Sequence, residues 1–215
     1  MIVDDRLTSY LHSLDNADSE IVTAIGREAR AGRVPIIRPE TGNLLKVLLR
    51  LQKPYRILEI GTAVGYSSIL MSECLEPGAS IITVEKYEKR IPIARENIKR
   101  AGKEGCITLI EGDAIEVMKT LDPGFDFIFM DAAKGQYIHF LPEVLRLLKK
   151  GGILVSDNVL QDGDIVESRF AVTRRNRTIH SRMRDYLWQL KHMKEFETAV
   201  LTVGDGVTIS TKLTE

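Results

Sequence analysis

Residues 56–67 read Arg56-Ile57-Leu58-Glu59-Ile60-Gly61-Thr62-Ala63-Val64-Gly65-Tyr66-Ser67, and their order decides the fold class. A short β-rich run, Arg56–Ile60, is followed at once by two glycines four apart, then by a segment of helical period over 66–75. Glycine permits a tight turn and close approach of a ligand to the backbone, and a helix starting there offers unpaired N–H groups. The spacing of Gly61 and Gly65 is not the GxGxxG of dinucleotide sites, and the acidic Glu59 would repel a pyrophosphate. A cationic ligand with a small carboxylate fits better. Its carboxylate would lie on the helix N-terminus and its ammonium group on Glu59. A plain strand-to-helix turn accounts for the same glycines if nothing else converges on them.

Working outward, the alternation continues. β-Rich runs recur at Ser80–Glu85, Cys106–Glu111, Phe125–Met130 and Gly152–Ser156, separated by helical-period segments at 87–101, 114–121 and 137–150. Strand and helix in strict alternation imply right-handed crossovers and a parallel sheet, and near-continuous apolar strands imply helices on both faces. The chain then passes through a polar segment at 159–177 and a helix near 178–194. It ends in two β-like runs, Phe196–Val203 and Gly206–Leu213, joined by Gly204-Asp205-Gly206, which predicts an antiparallel hairpin. Upstream, Leu7, Leu11 and Leu14 recur at helical spacing, and Asp18 or Ser19 can cap a helix reaching about Arg30. A third helix is expected from Pro39 to Leu51 with Leu44, Leu45, Leu48 and Leu49 as its buried stripe. The expected organisation is one domain over 1–215: a helical N-terminal extension, 1–53, on an α/β core, 54–215.

In open doubly wound sheets ligands bind beyond the carboxyl ends of the strands, where the strand order reverses. The residues found there are informative. Glu85 ends the second strand, about two dozen residues past the glycine turn, where a carboxylate can accept both hydroxyls of a ribose. Gly112-Asp113-Ala114 follows the third, and Asp113 can cap a helix or accept an adenine amino group. Glycine turn, ribose acid and adenine acid in this order describe S-adenosylmethionine (SAM) better than NAD. Asp131-Ala132-Ala133-Lys134 follows the fourth strand and Asp157-Asn158 the fifth. One such Asp would be read as a loop cap. Two carboxylates and an amide on neighbouring strand ends suit a hard cation that keeps some water, Mg²⁺ more than zinc or copper.

The 215 residues include 44% apolar and 28% charged side chains, too apolar for a disordered chain. No apolar stretch is long enough to span a bilayer, and Asp4 and Asp5 stand where a signal peptide would be basic, so a cytoplasmic protein is expected. Cys74 and Cys106 lie far apart and suggest neither zinc nor a disulfide. The net charge is zero but uneven. Residues 169–194 carry eight basic side chains against Asp185 alone, a balance of +7. Such a block fits a phosphate backbone, a dimer contact or a solvated helix face.

The stretches Leu58–Ser67, Thr83–Glu85, Gly112–Ala114, Phe129–Tyr137 and Val155–Val159 resemble the cation-dependent class I O-methyltransferases, which include the catechol and caffeoyl-coenzyme A enzymes. The resemblance covers roughly 34–213, and the paired Asp131 and Asp157-Asn158 elements belong to its metal-using branch. More narrowly, Val34-Pro35-Ile36, residues 131–137, residues 156–160, the arginine run and residues 203–207 resemble the bacterial tRNA 5-hydroxyuridine methyltransferases, which make 5-methoxyuridine at the wobble position. The family implies a Rossmann-like, seven-stranded, mostly parallel sheet with a reversed last strand, SAM and Mg²⁺ as cofactors, and a homodimer. By position it places Ile37, Glu59, Gly61, Gly65, Tyr66, Ser67, Glu85, Asp113, Ala114 and Asp131 around SAM, and Asp131, Asp157 and Asn158 around the cation. Lys134 matches the general base of the catechol enzymes.

A cation at those ligands would aim an acceptor hydroxyl beside a second oxygen, as in 5-hydroxyuridine or in a catechol, so the metal residues do not separate the two substrates. For a tRNA acceptor, Arg174, Arg175, Arg177, Arg182 and Arg184 would meet the backbone, and Tyr137 or Phe170 would stack the base. A small-molecule catechol-type enzyme remains the alternative. A SAM- and RNA-binding regulatory protein without turnover is a more distant one.

Overall fold

The computed structural model describes residues 4–214. Helices α1 (Asp5–Ser13), α2 (Glu20–Ala31) and α3 (Pro39–Gln52) precede the sheet. Then β1 (Arg56–Ile60), α4 (Tyr66–Ser72), β2 (Ser80–Glu85), α5 (Ile91–Arg100), β3 (Ile107–Glu111), α6 (Ala114–Thr120) and β4 (Phe125–Met130) alternate. A 3₁₀ turn, Lys134–Gln136, leads into α7 (Tyr137–Leu147) and β5 (Leu148–Ser156). A second, Gln161–Val166, leads toward α8 (Arg177–His192) and the strands β6 (Phe196–Leu201) and β7 (Val207–Lys212).

The sheet order is β3-β2-β1-β4-β5-β7-β6. The first five strands are parallel, and β7 runs antiparallel to both β5 and β6. This is the Rossmann-like, doubly wound sheet with a terminal hairpin that the alternation predicts. Two apolar cores sandwich it. One joins Leu58, Ile128, Tyr137, Leu141, Met183 and Tyr186 beneath α6, α7 and α8. The other joins Ile57, Ile69, Phe127 and Val155 with Val22, Ile25, Leu45 and Leu49 from α2 and α3. Helices α2 and α3 therefore complete one face of the core, whereas α1 buries none of its side chains. No helix among the described residues is long and apolar enough to cross a membrane.

Several boundaries differ from expectation for local reasons. The segment expected to be helical from 87 starts at Ile91, because Pro92 is suited to the first turn and the Glu85 carboxylate holds the preceding loop by the N–H groups of Lys86 and Tyr87, at 3.0 and 2.8 Å. The helix expected over 137–150 ends at Leu147. From Leu148 the chain is already extended, pairing with Phe125 before a register shift, and Gly151 takes a positive φ of 76°. Ser19, not Asp18, caps α2.

The strand order reverses between β1 and β4, which opens a crevice at their carboxyl ends. Gly61, with φ 106°, sits there so close to β4 that a Cβ would lie 2.1 Å from the Asp131 carbonyl oxygen. Gly61→Ala is expected to destabilise the protein by at least about 2 kcal/mol in urea unfolding, since strain and overlap add. Gly105→Ala, where a Cβ meets nothing within 4 Å, should stay within about 0.5 kcal/mol of wild type.

Candidate active site

A cavity of about 490 Å³ fills the crevice. One end is lined by Glu85, Lys86, Tyr87, Arg90, Asp113, Ala114 and Ile115, the other by Asp131, Lys134 and Asn158, with Gly61 between them. Glu85 is nearly buried and accepts backbone N–H groups from Ala63, Lys86 and Tyr87 at 2.8–3.0 Å. It also lines the cavity, and a carboxylate with lone pairs to spare can accept vicinal hydroxyls there. Asp113 caps α6 through the Ile115 N–H at 3.1 Å and also stands on the cavity wall, so cap and ligand contact coexist on one side chain.

Asp131 and Asp157 leave the ends of adjacent strands β4 and β5. Burial pushes the Asp131 carboxyl up to about 6, reinforced by the charge of Glu59 and opposed by Lys134. Burial, then the charge of Asp131, pushes Asp157 up to about 7, against the hydrogen bonds it accepts from Asn158 N–H at 2.8 Å and the Thr41 hydroxyl at 3.4 Å. Two carboxyls whose anions are disfavoured by burial and by nearby negative charge mark a place short of positive charge. Asn158, next in the chain, has φ 58° and lines the cavity. Its amide nitrogen lies 3.4 Å from Asp205 Oδ2, which turns its amide oxygen elsewhere. Two carboxylates and an amide oxygen fit a hard divalent cation. Among the described residues no group of three or more His, Cys, Asp or Glu forms a metal cluster, so the amide is a necessary member of this set.

Other expected site residues lie elsewhere. Glu59 is fully buried behind the glycine turn. Its carboxylate accepts the hydroxyls of Ser67 and Thr83, both at 2.5 Å, and that of Ser68. It does not meet an ammonium group on the cavity wall; it holds the start of α4 against β2. Ser67 is committed to the same bond. Tyr66 turns its ring the other way, packing on Gly26 of α2 and bonding Arg30. Ile37 enters the core beside α3, and Pro35 is the residue of that stretch that reaches the cavity. Gly65 begins α4 with φ 84° and shapes the turn from behind. Tyr137 is buried, its hydroxyl 3.2 Å from the Met130 carbonyl and 3.1 Å from that of Asp157, so it ties β4 to β5 and cannot stack a base.

The arginine run divides in the same way. Arg182 bonds the Gly135 carbonyl at 3.1 Å, Arg184 the Ile165 carbonyl at 3.3 Å, and Arg177 lies 5.7 Å over the Phe170 ring. Arg182 and Arg184 fasten α8 to the two 3₁₀ turns, and Arg177 packs on Phe170 in the segment that leads into α8. Arg174 and Arg175 are exposed, with no ion pair or hydrogen bond to the described residues. The sequence reading did not assign Tyr87, Arg90 or Asp205. Tyr87, two residues past the ribose acid with Arg90 5.4 Å over its ring, was hidden by the early helix start. Asp205 was read only as a turn residue.

The O-methyltransferase family profile matches residues 14–213. The chain belongs to the O-methyltransferase family. It is 36% identical over 155 residues to a catechol O-methyltransferase of Niastella koreensis, covering 70% of each chain. It superimposes on a putative caffeoyl-CoA O-methyltransferase from Staphylococcus aureus with TM-score 0.87 and 32% identity, over 96% of this chain and 98% of the other. It also matches the Streptomyces achromogenes O-methyltransferase TomG in complex with SAM, with TM-score 0.85 and 26% identity, over 97% and 96% of the two chains.

Because the pair Asp131 and Asp157 is short of positive charge, a divalent ion held there should stabilise the folded state. At about 100 times its dissociation constant the gain is about 2.7 kcal/mol, or roughly 5–10 °C in midpoint for a chain of this size. Differential scanning calorimetry with and without Mg²⁺ checks this, and Asp157→Ala should abolish the shift.

Proposed function

We propose that the protein transfers a methyl group from SAM to the 5-oxygen of 5-hydroxyuridine at the tRNA wobble position, assisted by a divalent cation. One observation carries the reading. Asp131 stands at once on the wall of the nucleoside-sized cavity and beside Asp157 and Asn158, so donor and acceptor chemistry share a single side chain. Glu85 and Asp113 suit the ribose and adenine, Tyr87 and Arg90 border the base, and the N–H groups of the Gly61–Gly65 turn suit the methionine carboxylate.

Asp131, Asp157 and Asn158 are the residues that would hold the cation. When bound, the cation lowers the pKa of an acceptor hydroxyl next to a second oxygen and fixes its direction. Lys134, at the same end of the cavity, would take the acceptor proton when in its neutral form, which a divalent cation held beside it would favour over the ammonium. Methyl transfer needs donor and acceptor nearly collinear, so positioning within the cavity would supply much of the acceleration.

The acceptor end leads to the segment after β5, where Arg169, Arg174 and Arg175 and the 79%-exposed Phe170 offer charge for phosphates and a ring for an unstacked base. The 36% identity to a catechol O-methyltransferase favours a second reading, methylation of a small catechol in the same cavity. Incubation with SAM, Mg²⁺ and either hydroxyuridine-bearing tRNA or catechol, followed by mass spectrometry of the products, decides between them. The tRNA reading expects 5-methoxyuridine; methylated catechol with unchanged tRNA would discard it.

Two further outcomes are expected. Glu85→Ala should weaken SAM binding about tenfold or more by calorimetry, since bonds to a charged acceptor contribute roughly 1.5–3 kcal/mol. Replacing Arg174 and Arg175 by Ala should lower the slope of log tRNA affinity against log salt by roughly 1.5 to 2, with SAM affinity unchanged.

A further inference from the structure

Asp205 lies in the β6–β7 turn, more than forty residues from any cation ligand in sequence, yet it is 3% exposed and sits against the cation residues. Its Oδ2 lies 3.3 Å from Lys134 Nζ and 3.4 Å from Asn158 Nδ2, and its Oδ1 accepts the N–H of Asp162. One carboxylate thus gathers the ammonium after β4, the amide after β5 and the backbone of the segment beyond.

The turn is built to hold it there. Gly204 and Gly206 have φ of 56° and 85°, and a Cβ on Gly206 would overlap the Leu160 side chain. The carbonyls of Asp205 and Gly206 accept the N–H groups of Leu160 and Val159, both at 3.0 Å. The hairpin turn and the loop after β5 are therefore locked together by backbone bonds, and the carboxylate has little freedom to move.

An amide ligates a hard cation through oxygen, and its two ends have nearly the same shape. Something must therefore decide which end faces the site. Asp205 accepts hydrogen bonds only, so it selects the amide nitrogen of Asn158 and leaves the oxygen for a cation. It also carries the counter-charge that keeps Lys134 at the cavity, 3.3 Å away, instead of in solvent. We infer that Asp205 is a positioning residue, orienting the Asn158 amide for the cation and anchoring Lys134 at the acceptor end. The inference rests on the cation-site reading above.

Asp205→Asn tests it with little change in shape. Whichever way the new amide lies, its NH₂ group meets donors: Lys134 and Asn158 on one side, Asp162 N–H on the other. Partners that orient metal ligands typically change affinity 10–100-fold when replaced. Titration of Mn²⁺ followed by electron paramagnetic resonance is expected to show at least tenfold weaker binding in Asp205→Asn. Binding of S-adenosylhomocysteine, measured by calorimetry, should stay within about threefold, since Asp205 does not line the cavity. Asp205→Ser, which keeps an acceptor but no charge, should likewise weaken Mn²⁺ binding with S-adenosylhomocysteine binding unchanged, and so guards against misfolding of one variant. Wild-type Mn²⁺ affinity in a folded variant would overturn the inference while leaving the cation site standing. Parallel loss of Mn²⁺ and S-adenosylhomocysteine binding in both variants would assign Asp205 to the fold alone and overturn it as well. Absence of Mn²⁺ binding to the wild type would remove the cation-site reading and this inference with it.

Discussion

Negative charge is concentrated under the carboxyl ends of the central strands, and the surrounding structure is arranged to tolerate it. Glu59, Asp131, Asp157 and Asp205 are all buried or nearly so, although an isolated buried carboxylate is among the most unfavourable groups a fold can contain. Each meets a different remedy. Glu59 is surrounded by three hydroxyls, and burial still raises its pKa, with the hydroxyls pulling the other way. Asp205 has an ammonium, an amide and a backbone N–H. Asp131 and Asp157 are the pair with the least compensating positive charge, and Asp131 lines the cavity. A site whose strongest unmet electrostatic demand lies beside its binding space is prepared for a ligand before the ligand arrives.

That arrangement depends on backbone conformations that few residues accept. Gly61 lets β1 and β4 end close together, so the glycine turn and Asp131 share one crevice. Asn158 adopts a left-handed conformation with its own N–H bonded to the Asp157 side chain, which keeps consecutive ligands on one side of the strand end. Tyr137 then fixes the spacing of β4 and β5 through two carbonyls. The two carboxylates and the amide therefore lie at rigid strand ends. The segment after β5 differs: it is irregular chain, where Asp162 and Gly163 break the 3₁₀ turn and Arg38 reaches Asp162 at 2.7 Å.

The sequence made the sheet legible because each parallel strand is a largely apolar run and its end carries a residue suited to a ligand or a turn. The positions of Gly61, Glu85, Asp113, Asp131 and Asn158 on the cavity follow from that rule alone. What it could not supply was direction. Glu59, Tyr66 and Ser67 are within eight residues of Gly61, but a strand alternates faces and a helix rotates by 100° per residue, so neighbours in sequence point to opposite sides of the turn. The same ambiguity affects the arginines, because Arg182 and Arg184 differ from Arg174 only in sitting on the part of α8 that packs back against the 3₁₀ turns. Asp205 was invisible for another reason. Its role arises from a long-range contact between the last hairpin and the fifth strand's end, which no local pattern encodes.

Rigid strand ends and an irregular acceptor side divide the labour of the fold. The donor end is specified by residues on β1, β2 and β3, where a substitution disturbs the sheet as well as the ligand. On the function proposed above, the acceptor end would be specified by residues 159–177, which are attached to the body through Asp205, Arg38 and Arg184 and through the buried Val159, Ile165 and Val172. Such a segment can change its outward side chains with little effect on the core, since exposed positions away from those anchors make few contacts. A fold that fixes the donor and cation geometry but leaves the acceptor surface free can serve acceptors as different as a catechol and a nucleoside in RNA, provided each offers two adjacent oxygens. On the function proposed above, acceptor identity would reside in the basic outward face of that segment rather than in the buried carboxylates.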